Sequence, residues 1–148
     1  MKMTEIKLNI GCGPYKEEGY INIDKNPIWE PDKILDVRNG LPFEDNSLSE
    51  VRAWHFIEHL SKDEIISFLA LVYKKLKKGG RLDLLFPTGV TYDLDHKSFL
   101  ERESFILFTR GGKDDWYYGK EIALKLIAES RSEDKNCKML RMLFEVRK

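Results

Sequence analysis

Short apolar runs, bounded by Gly, Pro, Asn or Asp, occupy residues 6–10, 20–24, 33–37 and 48–54, and a fifth at 81–86 closes on Pro87. Runs of that length between turn-forming residues read as strands. Between the last two the period changes. Ile65, Leu69, Val72 and Leu76 recur at helical spacing, and Ser61 with Glu64 forms a capping-box pattern, so residues 61–77 are predicted to be a helix. Gly79-Gly80 is expected to end it, and Lys74, Lys75, Lys77 and Lys78 fall where cations meet the exposed carbonyls of a helix end. Beyond Pro87 the pattern is irregular as far as His96, followed by a predicted short helix at 101–108 and a Gly-Gly-Lys-Asp-Asp loop at 111–115. The last two runs, 124–130 and 139–146, flank a polar turn at 131–136 and read as an antiparallel hairpin. Strands alternating with helical segments imply a parallel sheet. The expected architecture is therefore α/β: a Rossmann-like, doubly wound, mostly parallel sheet of seven strands closed by a C-terminal antiparallel hairpin.

Composition narrows this picture. With 148 residues, 42% of them hydrophobic, the chain encloses one substantial core, and residues 1–148 are expected to form a single domain. No stretch approaches the roughly 18 apolar residues of a membrane span, and Glu5 interrupts the start of the chain, so a cytoplasmic protein without a leader is expected. Cys12 and Cys137 are the two cysteines; neither belongs to a CxxC pair, which argues against a disulfide framework and a cysteine-built zinc site. Basic and acidic residues balance at 25 each, giving no whole-molecule attraction to nucleic acid. Residues 131–148 carry six basic residues against three acids, a balance typical of a solvated hairpin edge.

The candidate chemistry lies at strand ends. Gly11-Cys12-Gly13 follows the first run, where the absence of a Cβ permits a sharp turn and close approach of a ligand to peptide N–H groups. The second run ends on an acid, Asp24. Glycine turns are common, so the weight rests on the segments that follow. Leu8-Asn9-Ile10-Gly11-Cys12-Gly13-Pro14 and Ile21-Asn22-Ile23-Asp24 resemble the first motif and second strand of Rossmann-like (class I) S-adenosylmethionine-dependent methyltransferases. Within that family the spacing is similar to a type 11-like subgroup with a GCGxxxxxGxINxD pattern. Three further segments agree in order: Leu41-Pro42-Phe43 with Asp45-Asn46-Ser47-Leu48, then Trp54 to Leu60, then Leu76-Lys77-Lys78-Gly79-Gly80.

This resemblance implies an S-adenosylmethionine-dependent methyltransferase acting on an acceptor that the sequence leaves unnamed. It implies cofactor contacts from Gly11, Cys12, Gly13, Asp24, Asp36, Val37, Trp54 and His55, with Asp24 on the ribose hydroxyls and Asp36 or Val37 at the adenine edge. His59 and His96 are the candidates for a general base, although in-line methyl transfer depends on alignment and requires none. The sequence departs from the family at Tyr15, which replaces a third glycine, and at Asn9, which replaces a frequent acid. Only ten residues separate Gly13 from Asp24, so the first crossover helix is expected to shrink to a turn or two. That gap, with Lys16 at a glycine position, also disfavours a dinucleotide fingerprint.

Two other readings compete. A short segment before the first strand and a small insertion after the fifth leave the site open, which fits a homodimer, a partner subunit, or a non-catalytic cofactor-binding subunit that regulates a partner. His55-Phe56-Ile57-Glu58-His59 is also literally HxxEH, the inverted zinc-peptidase pattern. That chemistry needs both histidines on one helix, whereas the helix signal starts at Ser61, so no metal ligand is assigned. Asp93-Leu94-Asp95-His96 resembles a further stretch of the same subgroup, and Trp116-Tyr117-Tyr118 offers aromatic surface for a planar substrate.

Overall fold

Alternation of side chains along the strands separates an apolar face from a polar one. Leu8 and Ile10, Val51 and Ala53, Leu82, Leu84 and Phe86, and Leu140, Met142 and Phe144 are buried, while Lys7, Arg52, Trp54, Arg141 and Leu143 between them are half-buried. Period-two alternation places the two sets on opposite sides of one sheet. The structure, a computed structural model, describes residues 4–89, 93–109, 121–133 and 137–148. Its strands are β1 (Ile6–Ile10), β2 (Ile21–Asp24), β3 (Lys33–Ile34), β4 (Leu48–Trp54), β5 (Leu76–Thr88), β6 (Leu124–Glu133) and β7 (Lys138–Val146). They form one seven-stranded sheet in the order β3-β2-β1-β4-β5-β7-β6. The first five pair with one another in parallel, and β7 runs antiparallel to both β5 and β6.

The helix predicted at 61–77 is α1 (Lys62–Lys75), with both halves of the Ser61/Glu64 capping box formed. Ile65, Phe68, Leu69 and Val72 are its buried residues, and they join the core cluster with the apolar faces of β1, β4 and β5. The predicted helix at 101–108 is α2 (Arg102–Ile106) followed by a 3-10 turn, Leu107–Thr109. Phe105 of α2 lies 4.9 Å from the Phe86 ring, ring centre to ring centre, so α2 packs on the same sheet face as α1.

Several boundaries differ from expectation. The strand expected at 33–37 ends at Ile34 because the Asp36 side chain accepts the Arg38 N–H and caps a 3-10 turn, Val37–Asn39. α1 ends at Lys75 rather than at the glycine pair. Leu76 already has extended backbone and pairs with Leu48, so Lys77 and Lys78 lie in β5 and not on the helix end. The hairpin strand expected to stop at 130 continues to Glu133. The remainder of its turn, the loop at 111–115 and Trp116-Tyr117-Tyr118 fall outside the described residues.

The first crossover contains no helix at all. Residues 11–20 form successive turns lying over the polar face, held by Asn9 and Asn22, each 5% exposed. Asn9 donates to Tyr15 O and to Asn22 Oδ1, which also accepts the Glu17 N–H. The strand order still reverses between β1 and β4, as a doubly wound sheet requires. Among the described residues, however, both α-helices cover one face, and the other is covered by this loop. No described helix is long and apolar enough to cross a membrane.

Candidate functional site

Ligands of open parallel sheets settle beyond the carboxyl ends of the strands where the order reverses, here β1 and β4. A cleft of about 650 Å³ opens there, with an apolar floor that includes Ile10, Ile23, Leu35, Val37, Phe56 and Leu60. This falls within the several-hundred-Å³ range of small-molecule sites.

Five of the eight expected cofactor contacts line it, Gly11, Asp24, Asp36, Val37 and His55, together with the candidate base His59. Gly11 has φ 65°, and a Cβ built on it would sit 2.5 Å from Phe56 Cδ2. The turn thus needs glycine for both conformation and space. Asp24 organises its surroundings: Oδ2 accepts the Gly13 N–H at 2.9 Å and Oδ1 the Asn26 N–H at 2.9 Å. Each carboxylate oxygen accepts more than one hydrogen bond, so capacity for a ligand remains. Asp36 is gripped by the Arg38 guanidinium, with Nη2 to Oδ2 at 2.6 Å. Those hydrogen bonds bring its pKa down to about 2. Arg38 also reaches Glu64 Oε1 at 3.2 Å, tying this wall to the first turn of α1.

Cys12 and Gly13 do not line the cleft. Cys12 is 4% exposed and its N–H donates to Ile23 O; burial, then the Asp24 charge, pushes its thiol pKa up. Trp54 is not among the lining residues either. Strand alternation puts Ala53 on the core side and Trp54 on the polar face, where the Arg52 guanidinium lies 4.2 Å and that of Arg141 5.0 Å from the indole centre.

His55 follows β4 with φ 52°, a left-handed conformation uncommon for a residue with a side chain. Its N–H still donates to Leu85 O at 2.8 Å, so the sheet ladder holds the kink that turns the chain across the cleft. Partial burial, then the neighbouring His59 and His96, lower its pKa. Residues Ile57–His59 form a 3-10 turn, not the α-helix that an HxxEH zinc peptidase needs to present two histidines together. The three histidines of the chain nevertheless gather. His59 lines the cleft, and the His96 ring meets it edge-on at 4.9 Å between centres. Glu58, between His55 and His59 in sequence, is 1% exposed, and burial raises its pKa. Its backbone carbonyl accepts the Lys97 and Ser98 N–H groups at 2.9 and 3.1 Å, which docks the loop carrying His96.

The structure adds cleft residues that the sequence reading did not single out, chiefly Lys25, Asn26, Trp29, Arg38, Phe56 and Lys97. Trp29 had a local signal: Asn26-Pro27 opens a 3-10 turn, Pro27–Trp29, with Asn26 Oδ1 accepting the Ile28 N–H. Phe56 adjoins His55 in sequence, whereas Lys97 had no local signal, because long-range packing brings it to the site.

No family model matches the sequence, and no curated protein matches it. Solved structures match along nearly the whole chain. N-methyltransferase NodS from Bradyrhizobium japonicum, in complex with S-adenosyl-L-homocysteine, superposes with a TM-score of 0.73 at 15% identity, covering 97% of this chain and 79% of that one. A SAM-dependent methyltransferase from Archaeoglobus fulgidus gives 0.69 at 18% identity, covering 97% and 87%. One from Methanosarcina mazei gives 0.70 at 16%, covering 98% and 94%. The chain therefore has the Rossmann-like fold of SAM-dependent methyltransferases, and at these identities the likeness is one of fold.

Proposed function

We propose that this chain binds S-adenosylmethionine in the cleft beyond β1 and β4 and transfers its methyl group to an acceptor. The observation that carries this reading is the meeting of the Gly11 turn and the Asp24 carboxylate at the strand-order reversal of a methyltransferase fold. The residues present fit such a cofactor. Asp24 offers acceptor oxygens for a ribose diol, Ile23, Leu35 and Val37 supply an apolar floor for a planar base, and Asp36 with Arg38 forms a polar rim. Gly11 lets the chain turn away without placing a side chain against Phe56.

When bound, the cofactor supplies a sulfonium-activated methyl group, so the protein's task is alignment of donor and acceptor. Phe56 and Leu60 exclude water from one wall. His55, just after β4, and His59, in the 3-10 turn that follows, line the cleft, where an acceptor can be oriented by hydrogen bonds. Gly13, through its N–H to Asp24 Oδ2, holds the diol acceptor in place, acting as a positioning residue.

Calorimetry on the purified chain is expected to show binding of both S-adenosylmethionine and S-adenosylhomocysteine. Asp24→Ala should weaken each at least tenfold, about 1.4 kcal/mol. An unchanged affinity in that variant, or no binding to the wild-type chain, refutes the reading. Methyl transfer by the chain alone in a screen of acceptors distinguishes an enzyme from a regulatory subunit.

A further inference from the structure

The pairing of histidines in space differs from their pairing in the motif. His59 meets His96, thirty-seven positions later, rather than His55. One ligand atom from each of Glu58, His59 and His96 falls within a group spanning no more than 4.8 Å. From these positions we infer that Glu58, His59 and His96 bind one divalent transition-metal ion, zinc by donor type, beside the cleft.

Two imidazoles and a carboxylate form a donor set suited to zinc. Bonds of about 2.1 Å in a tetrahedral arrangement place ligand atoms roughly 3.4 Å apart, so binding draws the three side chains together by small rotations. An independent observation points to the same place. The Glu58 side chain is 2% exposed, and among the described residues its Oε2 is a buried polar atom without a hydrogen-bond partner. A buried carboxylate oxygen left in that state is costly, and a cation on that oxygen removes the cost. The outer partners are also in place. His59 Nδ1 lies 3.2 Å from Asp95 O; a carbonyl only accepts, so Nδ1 is the donor in this contact, an orientation that leaves Nε2 as the nitrogen to offer a metal. Asp93 Oδ2 stands 3.4 Å from His96 Nε2, a carboxylate of the kind that orients a ligating imidazole.

Three protein ligands leave a fourth position, and His59 and Asp95 both line the cleft. Resting on the methyl-transfer reading, that position would take an oxygen, nitrogen or sulfur atom of the acceptor, whose pKa the ion lowers. Metal binding itself does not depend on that reading.

The test uses the full chain without methyl donor. Zn²⁺ is titrated by calorimetry and Co²⁺ by its visible absorption bands. One equivalent is expected, with Glu58→Gln, His59→Ala and His96→Ala each weakening binding at least about tenfold while thermal unfolding confirms a folded chain. Should Glu58→Gln fail to fold, the two partly exposed histidines carry the test. Absence of stoichiometric binding overturns the inference. So does binding that survives His96→Ala but is lost in His55→Ala, since that places the ion on the sequence motif instead. Donor affinity measured separately, without metal, keeps failure of this site distinct from failure of the methyl-transfer reading.

Discussion

Single backbone positions shape the cleft more than any one charged group does. Gly11 holds φ 65° under the Phe56 ring, so Gly11→Ala combines a strained dihedral with a steric clash. A loss of roughly 1–3 kcal/mol is expected, read as a lower denaturant midpoint, with weakened donor binding beside it. An unchanged midpoint would show that Phe56 yields freely. Tyr20 offers a residue-scale check on the polar face. Burial, then its hydrogen bond to Glu50, pushes its pKa up to about 12. A raised pKa means the neutral hydroxyl is favoured by the fold. Its contribution is complete below the unfolded value of about 10 and is lost as pH rises toward 12. Ultraviolet titration should show one tyrosine ionising late, and Glu50→Gln should bring that step to lower pH.

At the scale of elements, local signals were legible and long-range ones were not. α1 was readable because its cap and its apolar stripe both lie within its own span. Ser61 Oγ accepts the Glu64 N–H, and Glu64 Oε2 accepts that of Ser61 at 2.8 Å. Ser61→Ala should therefore cost about 1 kcal/mol, measured by urea unfolding, and a neutral result would mean that packing alone fixes the helix start. Asp24 was readable as an acid closing a strand, whereas Asp36 lies two residues past the end of β3 and caps a 3-10 turn. The short gap before Asp24 correctly implied a reduced crossover, but its full replacement by turns depends on Asn9 and Asn22 meeting across neighbouring strands. β3 stops early because a side chain, Asp36, competes with the sheet for a backbone N–H. Trp54 was legible in principle. With Val51 and Ala53 in the core, period two alone sends Trp54 to the other face. The contact of His59 with His96 was not, since a loop docked on the Glu58 carbonyl creates it.

Among the described residues the molecule is asymmetric: helices and an apolar core on one side of the sheet, a charged and aromatic ladder on the other. Asp83 is 1% exposed on that second side although no described helix covers it. Arg141 grips it with Nε to Oδ1 at 3.0 Å and Nη2 to Oδ2 at 2.8 Å. Arg52 lies 3.8 Å away and also reaches Glu17 of the covering loop at 2.7 Å. Removing Arg141 alone leaves a buried carboxylate short of its partner, and Arg141→Ala should cost roughly 1–3 kcal/mol. The ion pairs need not add net stability, because well-packed apolar replacements of buried pairs are often neutral or stabilising. Their value here is that guanidinium groups lying over Trp54 and Tyr20 keep a broad sheet face polar. An apolar patch of that extent invites association. Combining Arg52→Met, Asp83→Leu and Arg141→Met should thus leave the unfolding midpoint near that of the wild type while light scattering reports self-association. If the triple variant instead unfolds as readily as Arg141→Ala, the network holds the fold together and its role in solubility is secondary.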